Sequence, residues 1–120
     1  MAKKFSIGFG LVFLLTGILG TLGGGHAHDL IIFGVNMPHN LVHLVTGILA
    51  LVFAYAGERP ARIFCFVFGS VYGLVTLAGF LNVPAVVEML NLNMADNFLH
   101  LAVSIACLWA GFRSRALVHI

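Results

Sequence analysis

The sequence predicts an all-α integral membrane protein, a four-helix bundle built from two parallel two-helix repeats. Three observations carry that prediction. The 120 residues are 61% hydrophobic and only 8% charged, with a mean hydropathy of +1.08, whereas soluble domains carry about 25% charged residues. The apolar residues gather into four runs, each close to the roughly 20 residues that cross a bilayer. A polar motif also occurs twice: Asn36-Met37-Pro38-His39-Asn40-Leu41-Val42-His43-Leu44 reappears as Asn93-Met94-Ala95-Asp96-Asn97-Phe98-Leu99-His100-Leu101.

The first run extends from Phe5 to about Gly24, behind a short basic start at Lys3 and Lys4. It is longer than the roughly 7–15 apolar residues of a signal peptide, so it reads as a span. Gly25 to Val35 holds His26, His28 and Asp29 and a short apolar stretch, Leu30 to Val35, too short to cross and expected at the interface. The second span runs from about Met37 to Ala56. Gly57-Glu58-Arg59-Pro60-Ala61-Arg62 marks a polar turn through Gly, Pro and charge. Ile63 to about Leu81 forms the third span. Asn82 to Leu92 reads as a connection with a short amphipathic helix on the membrane surface. The fourth span covers about Met94 to Phe112. The two cysteines, Cys65 and Cys107, lie within apolar runs and read as small buried hydrophobes rather than a disulfide.

The chain is therefore expected to be a single transmembrane domain over residues 1–120, with repeat one at about 5–56 and repeat two at about 63–113. Phe9-Gly10 aligns with Phe68-Gly69, and Gly20 falls opposite Gly79. Two spans per half make the repeats parallel, related by an axis along the membrane normal. Lys3, Lys4, Arg59, Arg62, Arg113 and Arg115 all fall on one side of this plan. The positive-inside rule then sets both termini in the cytoplasm of a bacterial inner (plasma) membrane and turns the doubled motif outward. Thr16, Gly20 and Gly24, with Thr46, Ala50 and Ala54 and with Gly69 and Gly73, supply small residues for close helix packing.

On a helix, Asn36, His39, Asn40, His43 and Gly47 fall within an arc of about 100°, as do Asn93, Asp96, Asn97, His100 and Ser104. Two readings follow. In the first, the motifs are structural. Asn36 and Asn93 cap helices, Pro38 sits harmlessly in a first turn, Asp96 complements the positive helix end, and His43 and His100 bond across to Asn97 and Asn40. In the second, His39, His43, Asp96 and His100 hold a divalent Zn, Cu or Fe ion. His39 with His43 and Asp96 with His100 have the i, i+4 spacing that places two ligands on one helix face. The asparagines Asn36, Asn40, Asn93 and Asn97 then form a structural polar cluster around it. A b-type haem between His43 and His100 is a further alternative, although the polar flanks suit a macrocycle poorly.

His26-Ala27-His28-Asp29, after Gly23-Gly24-Gly25, has the residues to capture a divalent ion but reads first as a hydrophilic loop with incidental histidines; Glu88 reads as the solvated side of the surface helix, and His119 as lying at the cytoplasmic end. No nucleophile–base pairing, carboxylate pair or phosphate loop is visible, which points away from an enzyme. Six basic residues at one membrane face give no basis for nucleic-acid binding.

Asn40-Leu41-Val42-His43-Leu44 with Gly47, the Gly69 to Gly73 segment with Tyr72, and Asp96-Asn97-Phe98-Leu99-His100-Leu101 resemble a bacterial family of small four-span membrane proteins known only as a domain of unknown function. The resemblance runs from about Met37 onward, and the Asp-Asn-x-x-His-Leu run is its most specific element. It implies the four-span fold and the importance of His43, Asp96, Asn97 and His100, and carries no activity. The expected function is a non-enzymatic membrane protein that binds a metal ion or small ligand at the outer polar cluster. The alternative is a structural or accessory subunit, homo-oligomeric or part of a larger membrane complex, in which the cluster only ties helices together.

Overall fold

The computed structural model describes residues 1–114, so Arg115 and His119 lie outside the described residues. Five helices and one short hairpin follow in the order α1 (Ala2–Leu22), β1 (His28–Leu30), β2 (Phe33–Val35), α2 (Met37–Ala56), α3 (Glu58–Phe80), α4 (Pro84–Leu90) and α5 (Met94–Arg113). Helices α1, α2, α3 and α5 are each long and apolar enough to cross a membrane. Their outward residues are apolar, as at Leu11, Val45, Leu74 and Ile105, and in a bilayer this outer surface meets lipid.

Two local features depart from the sequence expectation. The Gly25–Val35 connection contains an antiparallel hairpin that pairs His28 with Val35, Asp29 with Gly34 and Leu30 with Phe33. Three-residue strands carry too little periodicity to be read in advance. The polar turn at Gly57 to Arg62 shrinks to one residue. Gly57 takes φ +130°, a conformation that favours glycine, and the helix resumes at Glu58 with Pro60 inside its first turn, where a missing N–H costs nothing.

The helices pack as two tight pairs, α1 on α2 and α3 on α5. Small residues allow the approach. The carbonyl of Gly47 lies 2.9 Å from where a Gly10 Cβ would stand, and Leu108 crowds Gly69 in the same way. Ser104 Oγ donates to the Gly69 carbonyl at 2.6 Å. Gly10, Gly17 and Gly20 form the buried stripe of α1, whereas Thr16 is only half-buried and turns its hydroxyl back to the Val12 carbonyl. The pairs meet over an aromatic core in which Phe9 stacks on Phe13 at 4.2 Å, Phe64 stacks on Phe68 at 4.4 Å, and Tyr72 sits edge-on to Phe13 at 5.4 Å. Tyr72 satisfies its buried hydroxyl by donating to Thr46 Oγ1 at 3.2 Å. Cys65 and Cys107 are both free and buried.

At one end of the bundle the start of α1, the start of α3 and the end of α5 converge. The Ala2 amide lies 2.6 Å from Glu58 Oε1 and 2.8 Å from Ser114 Oγ, and Arg62 Nε donates to the Gly111 carbonyl at 3.0 Å. The hairpin and α4 cover the opposite end, where the doubled motif lies.

Candidate functional site

Both copies of the motif begin as capped helices. Asn36 Oδ1 accepts the His39 amide at 3.0 Å, and Asn93 Oδ1 accepts the Asp96 amide at 2.9 Å. These caps place His39 and His43 one turn apart on α2 and His100 on the second turn of α5. All three histidines turn inward, with 1%, 4% and 2% of their surface exposed. Ring centroids stand 4.4 Å apart for His39–His43, 5.7 Å for His39–His100 and 6.3 Å for His43–His100. One ring nitrogen from each of the three lies within 4.8 Å of the other two.

The walls of the cluster are aromatic. Phe13 meets His43 edge-on at 5.0 Å, and Tyr72 lies 5.5 Å from His100. The carbonyls of Leu90 and Gly34 face the His39 ring. Even so, both ring nitrogens of His39, both of His100 and Nδ1 of His43 are buried without a hydrogen bond of good geometry. A buried polar group left in that state costs about 1–3 kcal/mol, so three clustered imidazoles are not explained by packing alone.

Asp96 does not join the histidines. Its Oδ2 accepts the Asn93 amide at 2.9 Å, completing a capping box, and the Gly34 amide at 3.0 Å. The spacing that suggested a fourth ligand was real, but the carboxylate is drawn to helix and hairpin amides. The expected histidine–asparagine bonds also do not form. Asn40 packs against Gly20 and Asn97 against Gly79, each within its own helix pair. Asn97 Nδ2 points to Met94 Sδ at 3.9 Å.

Sequence reasoning missed the covering layer. Asn36 Nδ2 donates to the Met89 carbonyl, Asn91 Nδ2 to Val35 and Asn93 Nδ2 to Ile32, each at 2.9–3.0 Å. Together with the Gly34–Asp96 bond, these contacts lace the hairpin and the α4 connection into a lid over the three imidazoles. Asn91 takes the left-handed conformation at φ +51°, which asparagine tolerates better than most residues, and this signal was present in the sequence. His28 begins the hairpin and His26 precedes it, and neither is among the three clustered imidazoles. The rings of His26 and His28 are 5.0 Å apart, and His28 Nδ1 is 2.8 Å from the His26 carbonyl.

No curated protein and no solved structure matches the chain significantly. The family match extends the resemblance across the first helix as well as the doubled motif. It covers residues 3–113, and the chain belongs to the family described as Domain of unknown function (DUF4383).

Proposed function

We propose that this membrane protein is non-enzymatic and holds one divalent transition-metal ion between His39, His43 and His100. The observation that carries this reading is the convergence of three buried imidazoles that each bring a ring nitrogen within 4.8 Å of the other two, five of their six nitrogens lacking a hydrogen bond of good geometry. Neutral imidazole suits Zn and Cu, and three histidines leave one coordination position open. Metal–nitrogen bonds of about 2.1 Å in a tetrahedral site set ligand nitrogens about 3.4 Å apart, so any pair near the 4.8 Å bound would draw inward on binding. Asp96 is then a positioning residue that fixes the lid and the start of α5. His39 is a third ring beside His43 and His100, which favours a compact ion over a haem macrocycle between two axial ligands.

The matched contacts Gly20–Asn40 and Gly79–Asn97, and Gly10–Gly47 and Gly69–Ser104, support reading the chain as two parallel repeats. The basic residues Lys3, Lys4, Arg59, Arg62 and Arg113 belong to the end remote from the histidines. We therefore place that end in the bacterial cytoplasm and the lid outside.

A structural or accessory role is the second reading. It accounts for Asn40 and Asn97 as side chains packed against Gly20 and Gly79 within the helix pairs, and poorly for the three clustered imidazoles. Metal analysis of gently purified protein separates the two. A stoichiometric ion, lost in a His43→Ala, His100→Ala double variant, is expected. Absence of metal across several preparations, together with a fall in thermal stability or assembly of the same variant, would establish the structural role instead.

A further inference from the structure

The lid closes the histidine cluster on the side of the connections, and the open side is lateral. A cavity of about 360 Å³ runs from His39, His43 and His100 between α2 and α3, past Thr46 and Tyr72. Its outer wall includes Leu41, Val42, Val45 and Val71, which are 51%, 42%, 54% and 44% exposed on spans whose outer surface meets lipid. Over the polar end, Leu90 and Val35 are 6% and 1% exposed, and Asp96 is held by Gly34. A molecule reaching the imidazoles by this route travels through hydrocarbon.

We propose that the cavity binds the head of a quinone-class molecule from the bilayer, with a ring carbonyl accepting an imidazole N–H. Three features select this class. The cavity wall carries no cation, so an anionic lipid head or a fatty-acid carboxylate has no counter-charge there. The polar end offers neutral imidazoles, each with one donor and one acceptor, which suit an uncharged carbonyl. Phe68 and Tyr72 give the walls flat aromatic faces for a planar ring, while the lipid-side mouth leaves room for an apolar tail. The volume lies at the lower end of the range for small-molecule pockets, enough for a head group. The inference goes beyond the ion reading and does not depend on it. It requires only the imidazoles where they stand, because a ring that ligates a metal through one nitrogen keeps an N–H on the other.

The test is photolabelling of the full-length protein in nanodiscs with an azido-quinone, in metal-loaded and chelator-treated samples, with label sites mapped by mass spectrometry. Label is expected on residues 41–49 of α2 and 68–75 of α3, competed by excess decylubiquinone. Val45→Trp, which fills the mouth from a lipid-facing position, should cut labelling at least tenfold. Ile48→Trp, exposed on the same helix but outside the cavity, should leave it intact. His100→Gln should weaken labelling, and chelation alone should not abolish it. Label spread evenly over the four spans, label not competed by decylubiquinone, or equal labelling of both tryptophan variants would overturn the proposal. So would a different neutral lipid that co-purifies and is not displaced by decylubiquinone. Metal content measured on the same samples keeps the two readings separate, because either can fail while the other stands.

Discussion

The Asn40 carboxamide oxygen lies where a side chain on Gly20 would have to stand. The Cα of Gly20 thus presents a C–H to an oxygen that has no other partner, a weak contact of about 0.5–1 kcal/mol. Asn97 stands in the same relation to Gly79 in the other helix pair.

Gly20→Ala should therefore destabilise the protein by about 1–3 kcal/mol, the usual cost of forcing atoms into a packed contact. Gly8→Ala, with open space around its Cβ position, should be near neutral. Thermal unfolding in detergent measures both. The cause is isolated by a cycle. In the Gly20→Ala, Asn40→Ala double variant the loss should be smaller than the sum of the singles, because removing the carboxamide removes the clash. Strict additivity would show that the two residues do not press on one another.

Asp96 gives the second expectation. Its Oδ2 serves the Asn93 and Gly34 amides, so Asp96→Ala removes a cap and orphans a buried N–H, a loss of about 1–3 kcal/mol. Asp96→Asn retains an acceptor oxygen and should lose less. Metal content per protein should stay the same in Asp96→Asn. A variant that keeps its melting temperature but loses its ion would return Asp96 to the ligand set.

Much of this architecture was legible in the sequence because its signals are local or compositional. The four spans follow from apolar runs, and the caps at Asn36 and Asn93 follow from residue type and position. Pairing histidines by spacing found His39 and His43 on one face, and the doubled motif pointed to His100. The lid was hidden, because its bonds join side chains of Asn36, Asn91 and Asn93 to carbonyls far away in the chain. The partners of Asp96 were hidden for a related reason. Helical spacing fixes which face a carboxylate occupies, but the competing amide of Gly34 comes from a hairpin that no periodicity announces. The asparagine–histidine bonds failed because Gly20 and Gly79 leave space for Asn40 and Asn97 inside their own helix pairs.

Proton competition supplies the third expectation. An imidazole binds an ion only when neutral, so His39, His43 and His100 must each be unprotonated in the loaded state. Lowering pH adds protons to the free form and none to the bound form, and affinity for the ion must fall as pH falls. Co(II) or Zn(II) titration of purified protein at a series of pH values checks the sign. Binding that does not weaken on acidification would exclude ligation by these three rings. Single His→Ala variants should each lower affinity, with no single ring sufficient.

The fourth expectation concerns the end remote from the histidines. Met1 offers α1 no side-chain cap. The carboxylate of Glu58, at the start of α3, takes that role from outside: it pairs with the Met1 ammonium and accepts the Ala2 and Lys3 amides. A negative group at a helix N-terminus is favoured by both the free N–H groups and the helix dipole. Glu58→Gln keeps the acceptor shape and removes the charge, while Glu58→Ala removes both. A cap is worth about 0.5–2 kcal/mol, so Glu58→Ala should show the larger loss. The amides of residues 2–5 should exchange hydrogen faster in both variants. Helix α1 spans about 30 Å at 1.5 Å per residue, so the effect should not reach the histidine cluster, and metal content should be unchanged. If Glu58→Ala instead empties the metal site, the two ends of the bundle are coupled through α1, and the aromatic contact between Phe13 and His43 is the first link to examine.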